Sequence, residues 1–239
     1  MSDQANETIA GFTAWAPTYD QTVAKEVEQY SGLPYEEMLK RVVKAAGVTP
    51  SAQVLDIGTG TGALALAIAE QLQDGRVIGI DPTPEMLHRA ERNVQRLGLG
   101  DRVELRTAAA EALPFADASF DIVVSSIALH HTTVRQTLPE IRRVLKPGGR
   151  LAVADMSRCE KWRSTLGVLL MPLLSLYYLC VKRSMAIVRA ELAAYEQLFL
   201  KEEWEAMLAE AGFASIHVEE FRHPTSQWYP PVVILEASK

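Results

Sequence analysis

The stretch VLDIGTGTGALA, Val54 to Ala65, carries the residues with the most capacity for chemistry. Gly58, Gly60 and Gly62 stand between an apolar run ending at Ile57 and a helical pattern beginning near Thr61. Glycine adopts positive φ angles and lets a ligand approach the backbone closely. The free N–H groups at a helix start favour a negative ligand group. The spacing is GxGxG, whereas the dinucleotide fingerprint is GxGxxG. Asp56, two positions before the first glycine, would repel a pyrophosphate and welcome an ammonium group. Asp81 ends the next strand pattern about 20 residues beyond the loop, where an acid can accept from both hydroxyls of a ribose.

A second group of reactive side chains follows the run FDIVVSS, Phe120 to Ser126. His130 and His131 are candidate proton acceptors, because histidine titrates near neutrality. A positioned base contributes about 10²–10⁴-fold to a rate. His131 is the first candidate as a substrate-facing base or hydrogen-bond partner, and His130 the second; the alternative is that the pair only orients its loop. Asp155, ending GRLAVADM, binds substrate or steadies that edge. Cys159 and Cys180 form no close pair, so neither a disulfide framework nor a metal site is expected, and a reducing, cytosolic setting fits. His88, His217 and His223 read as surface or packing residues.

The elements that position these groups alternate. AQVLDIG, RVIGID, RVELRT, FDIVVSS and GRLAVADM read as strands. TGALALAIAEQL, TPEMLHRAERNVQRLG and VRQTLPEIRRVLKPGG read as helices between them, and PYEEMLKRVVKAAG as a helix before them. Such alternation predicts an α/β fold: a Rossmann-like, mostly parallel sheet with helices on both faces. ASIHVEEF and VVILEAS supply two further strands, giving seven, with an antiparallel pair at the C-terminal end. The pattern predicts an arm or lid of short helical pieces over 1–33, a core over 34–156 and 201–239, and a helical cap over 157–200 inserted after the fifth strand. A helix around Ala190 to Phe199 belongs to that cap.

Composition narrows the partners. The 239 residues carry a net charge of −6, which disfavours nucleic acid. The N-terminus MSDQANETIA lacks the basic start and apolar centre of a secretion signal. LGVLLMPLLSLYYLC is the greasiest stretch, but its apolar run from Leu166 to Val181 is shorter than the roughly 20 residues a spanning helix needs. Pro172 interrupts it. In the cap it would roof an apolar site, with Tyr177, Tyr178 and Tyr195 as candidate substrate contacts beside Trp15 of the arm.

A ribose, an amine and a carboxylate together describe S-adenosylmethionine. VLDIGTGTG, IGIDPTPEML, AEALPFADASFDIVVSS, ALHH and EIRRVLKPGGRLAVADM resemble the class I S-adenosylmethionine-dependent methyltransferases, in particular the small-molecule subgroup that includes quinone-biosynthesis enzymes. The resemblance covers roughly Val54 to Met156 and, more loosely, Thr18 to Asp20. It implies that Asp56 and Gly58 hold the methionine end, with Thr61 at the helix start, that Thr59, Gly60 and Gly62 also bind the cofactor, and that Asp81 binds the ribose. Pro82, Met86, Ala109 and Ala110 would meet the adenine, Ser126 would lie under the sulfonium, and Tyr19 would close over the cofactor. Many relatives carry Asp or Asn where Ala109 stands, which leaves adenine recognition here to backbone groups. The implied reaction is methyl transfer to a small, fairly lipophilic acceptor at O, C, N or S, leaving S-adenosylhomocysteine. Two alternatives stand beside it. One is phospholipid or quinone methylation at a membrane surface, with Lys161, Trp162, Arg163, Lys182 and Arg183 flanking the greasy stretch. The other is a binding protein that has lost the chemistry. The residues leave the oligomeric state open.

Overall fold

In the computed structural model, residues 3–163, 169 and 184–239 are described. Seven strands form one sheet: β1 (Gln53–Ile57), β2 (Arg76–Asp81), β3 (Val103–Thr107), β4 (Phe120–Ser126), β5 (Leu145–Met156), β6 (Ala214–Phe221) and β7 (Val232–Ser238). Their order is β3-β2-β1-β4-β5-β7-β6. β1 runs parallel to β2 and β4, β3 to β2, and β5 to β4. β7 is antiparallel to both β5 and β6. The strand order reverses between β1 and β4. Their carboxyl ends therefore open a crevice, the usual ligand position in such sheets.

Side chains along each strand alternate between two apolar layers. On β1, Val54 faces one layer, with Met38, Val42, Leu64 and Ile68. Leu55 and Ile57 face the other, with Leu138, Ile141, Trp204 and Leu208. The first layer is covered by α3 (Tyr35–Ala46), α4 (Ala63–Ala69) and α5 (Pro84–Leu97). The second is covered by α6 (Val134–Val144) and by Lys201–Glu210, α8 below. The stripe on α3 is buried, and Gly47 ends that helix at φ 60° as a left-handed cap.

The arm differs from the short helical pieces expected. It is two helices of 13 residues each, α1 (Asp3–Trp15) and α2 (Tyr19–Ser31). The reason is tertiary: Val23 and Val27 bury themselves in the first layer, and α1 packs along α7 (Met185–Ala194). Gly11 permits that approach, since a Cβ there would fall 2.5 Å from the Ala190 Cβ. The cap helix also differs. It ends at Ala194, before a 3-10 turn over Tyr195–Gln197, rather than continuing to Phe199. Phe199 is drawn instead into a β-bridge with Ser157, whose hydroxyl donates to the Phe199 carbonyl at 2.9 Å. α8 (Lys201–Glu210) then leads into β6. Tyr177, Tyr178 and all of the greasy run but Leu169 lie outside the described residues. Among the described residues, no helix is long and apolar enough to cross a membrane.

Candidate active site

The loop after β1 is shaped by backbone geometry that only glycine tolerates well. Gly58 sits at φ 66°, and a Cβ there would fall 2.3 Å from the Ala128 Cβ. The loop is thus pressed against the turn that follows β4. α4 begins at Ala63, two residues later than the sequence pattern suggests, so Thr61 and Gly62 belong to the turn. Thr61 donates through Oγ1 to Asp20 of α2 at 2.6 Å, and its carbonyl accepts from Asn93 of α5 at 3.0 Å. The loop is therefore pinned from both flanks.

Two carboxylates face each other across this loop. Asp56 is 1% exposed; one oxygen accepts from Thr59 Oγ1 at 2.7 Å. Its Oδ1 is sealed from solvent and has no hydrogen-bond partner among the described residues. Burial pushes its pKa up to about 7, opposed by the Thr59 hydroxyl and reinforced by the charge of Asp81; the Ala65 N–H, outside hydrogen-bond geometry, pulls weakly downward. Asp81 accepts from the Gly60 N–H at 3.0 Å and the Thr83 N–H at 2.8 Å. Burial raises it to about 6 despite those donors. A carboxylate offers about four acceptor positions, so Asp81 keeps two for a pair of hydroxyls. An orphaned buried carboxylate oxygen calls for a cationic donor. Asp81 therefore fits the ribose of S-adenosylmethionine, and Asp56 adds a second negative group behind the same loop.

A pocket of about 830 Å³, its open mouth included, lies over the glycine loop and Asp81. Of the expected cofactor residues, Tyr19, Gly58, Gly60, Asp81, Pro82, Met86, Ala109 and Ala110 line it. Asp56, Thr59, Thr61 and Gly62 are not on its wall. Ser126 is not on the wall: Ile127 and Ala128 take its place, and its buried Oγ lacks a partner in hydrogen-bond geometry among the described residues. The Tyr35 hydroxyl comes near Ser126 and is pushed up to about 12 by burial, eased by that neighbour and reinforced by Asp56 and Asp20.

A second pocket of about 420 Å³ adjoins the first and shares Phe12, Tyr19, Ile127 and His131 with it. Trp15, Val23, Tyr30, His130 and Met156 complete much of its wall. Among the described residues, α1 and α2 supply most of this apolar surface, where the cap was expected to supply it. Tyr195 lies on the 3-10 turn and reaches neither pocket wall. Trp15 stacks on Phe12 with centroids 5.9 Å apart and meets Tyr19 edge-on at 5.3 Å.

The two histidines separate in role. His131 forms part of both walls and packs edge-to-face on Phe12 at 4.7 Å. Its pKa is held well below the usual histidine value by burial and by the neighbouring His130, and its Nδ1 lacks a partner among the described residues. His130 is 5% exposed, and its Nδ1 is paired with Asp155. Asp155 is fully buried; it also accepts the backbone N–H of His130 at 3.0 Å and that of Met156 at 2.8 Å. It therefore steadies the edge rather than facing a pocket. The sequence reading missed Phe12, Tyr35, Ile127 and Ala128. Phe12, Trp15 and Tyr19 share a helical spacing that could have singled out Phe12; nothing local singles out the other three.

A family model described as a methyltransferase domain matches residues 54–149. The chain is 33% identical over 192 residues to demethylmenaquinone methyltransferase of Lactiplantibacillus plantarum, covering 76% of this chain and 78% of that enzyme. It is 33% identical over 160 residues to a ubiquinone/menaquinone biosynthesis C-methyltransferase of Geobacter sp., covering 66% of each. The YcgJ protein of Bacillus subtilis has a similar structure, with a TM-score of 0.63 at 25% identity, over 86% of this chain and 99% of that one. With the strand order, the glycine loop and the acid pair already in place, these similarities show that the chain belongs to the class I S-adenosylmethionine-dependent methyltransferases.

Proposed function

We propose that this enzyme transfers the methyl group of S-adenosylmethionine to a small, largely apolar acceptor held in the aromatic pocket. The observation that carries this reading is the shared wall of Phe12, Tyr19, Ile127 and His131 between the two pockets. S-Adenosylmethionine supplies a methyl group already activated on a sulfonium, so the protein's task is alignment and exclusion of water. Positioning of this kind is worth on the order of 7–11 kcal/mol in favourable cases. Asp56 takes the ammonium, and Asp81 takes the ribose hydroxyls. Pro82, Met86 and the Ala109–Ala110 backbone flank the adenine. Tyr19 and Phe12 stand between donor and acceptor and keep water from the junction.

Relatives named for demethylmenaquinone and for quinone biosynthesis support an acceptor with fused or substituted rings. The aromatic lining supports the same class. Within this reading, α1 and α2 form a lid and α7 backs it.

The test is methyl transfer from radiolabelled S-adenosylmethionine to 1,4-naphthohydroquinone, 1-naphthol, quinoline and a linear alkyl amine. Label should appear in a two-ring product and not in the alkyl amine. Transfer to the alkyl amine alone would overturn the assignment of the aromatic pocket.

A further inference from the structure

The first pocket is walled partly by α1, through Thr8, Ile9 and Phe12. Thr8 and Phe12 are four residues apart and so share one face of that helix. Phe12 packs on His131, where the two pockets meet. The chain then continues to Tyr19, which lies over the glycine loop: a Cβ on Gly60 would fall 3.8 Å from its ring. Thr8 stands about 6 Å back along the helix from Phe12, on the side away from that loop. Thr13 donates to Glu85 at 3.0 Å, which ties α1 to the helix that follows Pro82. Thr8 therefore belongs to the end of the pocket walled by Pro82, Met86 and Ala108–Ala110.

Thr8 is 8% exposed. A helical threonine often returns its hydroxyl to the carbonyl four residues earlier. Thr22 of α2 does so, donating to the Thr18 carbonyl at 2.8 Å. Among the described residues, the Thr8 hydroxyl has no hydrogen bond. It is also not one of the oxygens sealed from solvent without a partner. The small surface that Thr8 keeps thus includes Oγ1, and Thr8 is part of the pocket wall. Its neighbours there offer little for a base to pair with. Pro82, Met86 and the alanines have no polar side-chain atom, and Thr83 Oγ1 is sealed from solvent. Glu111 is engaged through Oε1 with the Thr133 N–H at 2.8 Å.

We infer that α1 belongs to the donor site and that the Thr8 hydroxyl makes a hydrogen bond to the adenine of bound S-adenosylmethionine. This rests on the methyl-transfer reading above and adds a side chain that reads the base. Water can serve this hydroxyl while the pocket is open. A ligand that fills the pocket displaces that water, and a hydroxyl buried without a partner weakens binding by about 5- to 100-fold. A hydroxyl both donates and accepts, so it pairs with a ring nitrogen or with the exocyclic amine.

The experiment compares the wild type with Thr8→Val and Thr8→Ser. Valine keeps the branched shape and removes the hydroxyl; serine keeps the hydroxyl. Calorimetry uses two ligands: S-adenosylhomocysteine, and 5′-methylthioadenosine, which has the adenosine half and lacks the amino-acid end. Failure of the wild type to bind S-adenosylhomocysteine would sink the methyl-transfer reading itself, and this inference with it. With the wild type binding, Thr8→Val should lose about 5- to 100-fold in affinity, by the same factor for both ligands. Thr8→Ser should recover most of that loss.

Thermal melts separate contact from packing. The apo melting temperature of Thr8→Val should not fall, because the hydroxyl has no protein partner to lose. The rise produced by saturating S-adenosylhomocysteine should be smaller than in the wild type. Four results would overturn the inference: wild-type affinity in Thr8→Val; a loss for S-adenosylhomocysteine with methylthioadenosine unaffected; an equal loss in Thr8→Ser; or a loss of affinity accompanied by a lower apo melting temperature.

Discussion

Replacing Asp56 with Asn should move stability and ligand affinity in opposite directions. In the ligand-free protein, Asp56 is a buried carboxylate with one unpartnered oxygen and a second acid, Asp81, nearby. Its pKa rises from 3.8 to about 7, which corresponds to roughly 4 kcal/mol against the fold once the group is fully ionised. The sign follows from proton uptake. Between pH 4 and 7 the folded chain holds a proton that the unfolded chain has lost. The favourable contribution is thus complete below about pH 4 and is lost as pH rises through about 7. Asparagine keeps an acceptor for Thr59 but buries an amide donor, an offset of about 1–3 kcal/mol. A net gain of about 2 kcal/mol at pH 8 would raise the apo melting temperature by about 4–8 °C for a chain of this length. The same substitution removes a charge-assisted bond to the ligand ammonium, worth about 1.5–3 kcal/mol, or roughly 10- to 100-fold in affinity. Differential scanning calorimetry and titration with S-adenosylhomocysteine measure the two effects. A lower apo melting temperature, or an unchanged affinity, would refute the reasoning.

Gly58→Ala should cost about 2–4 kcal/mol, because it forces an L side chain to φ 66° and into the Ala128 methyl; denaturant melts would show it, and ligand binding should be lost with it. Asp81→Ala should leave the Gly60 and Thr83 N–H groups without their acceptor and lower S-adenosylhomocysteine affinity by about 100-fold or more, read by calorimetry. In the wild type, that affinity should weaken as pH falls below about 7, as Asp56 takes a proton. Trp204→Ala, in the apolar layer under α8, should cost about 3–5 kcal/mol in a thermal melt while leaving ligand affinity unchanged below the transition.

The parts of the site that were legible in the sequence are those set by local order. Strand, glycine turn, helix, strand and acid follow one another between Gln53 and Asp81, and each carries its own period or spacing. The sheet followed from the same alternation. Of the aromatic wall, Trp15, Tyr19 and the two histidines were legible one by one, but the wall itself was not, because it is assembled across the chain. Phe12 meets His131, and Trp15 and Tyr19 join the same wall, only when α1 and α2 fold back over the carboxyl edge. The arm's helices are stabilised by burial of Val23 and Val27 and by the Gly11–Ala190 approach, none of which local propensity reveals. Two adjacent histidines look alike in a sequence. Their difference lies in which ring meets Asp155, and that depends on how the turn at 129–131 docks against β5.

The most direct test of the two-pocket account is a structure with S-adenosylhomocysteine bound. The account predicts the amine on Asp56, both ribose hydroxyls on Asp81, and the sulfur turned toward the pocket of Phe12, Trp15, Tyr19 and His130. A ligand that occupies the same loop with its sulfur directed away from that aromatic pocket would contradict it.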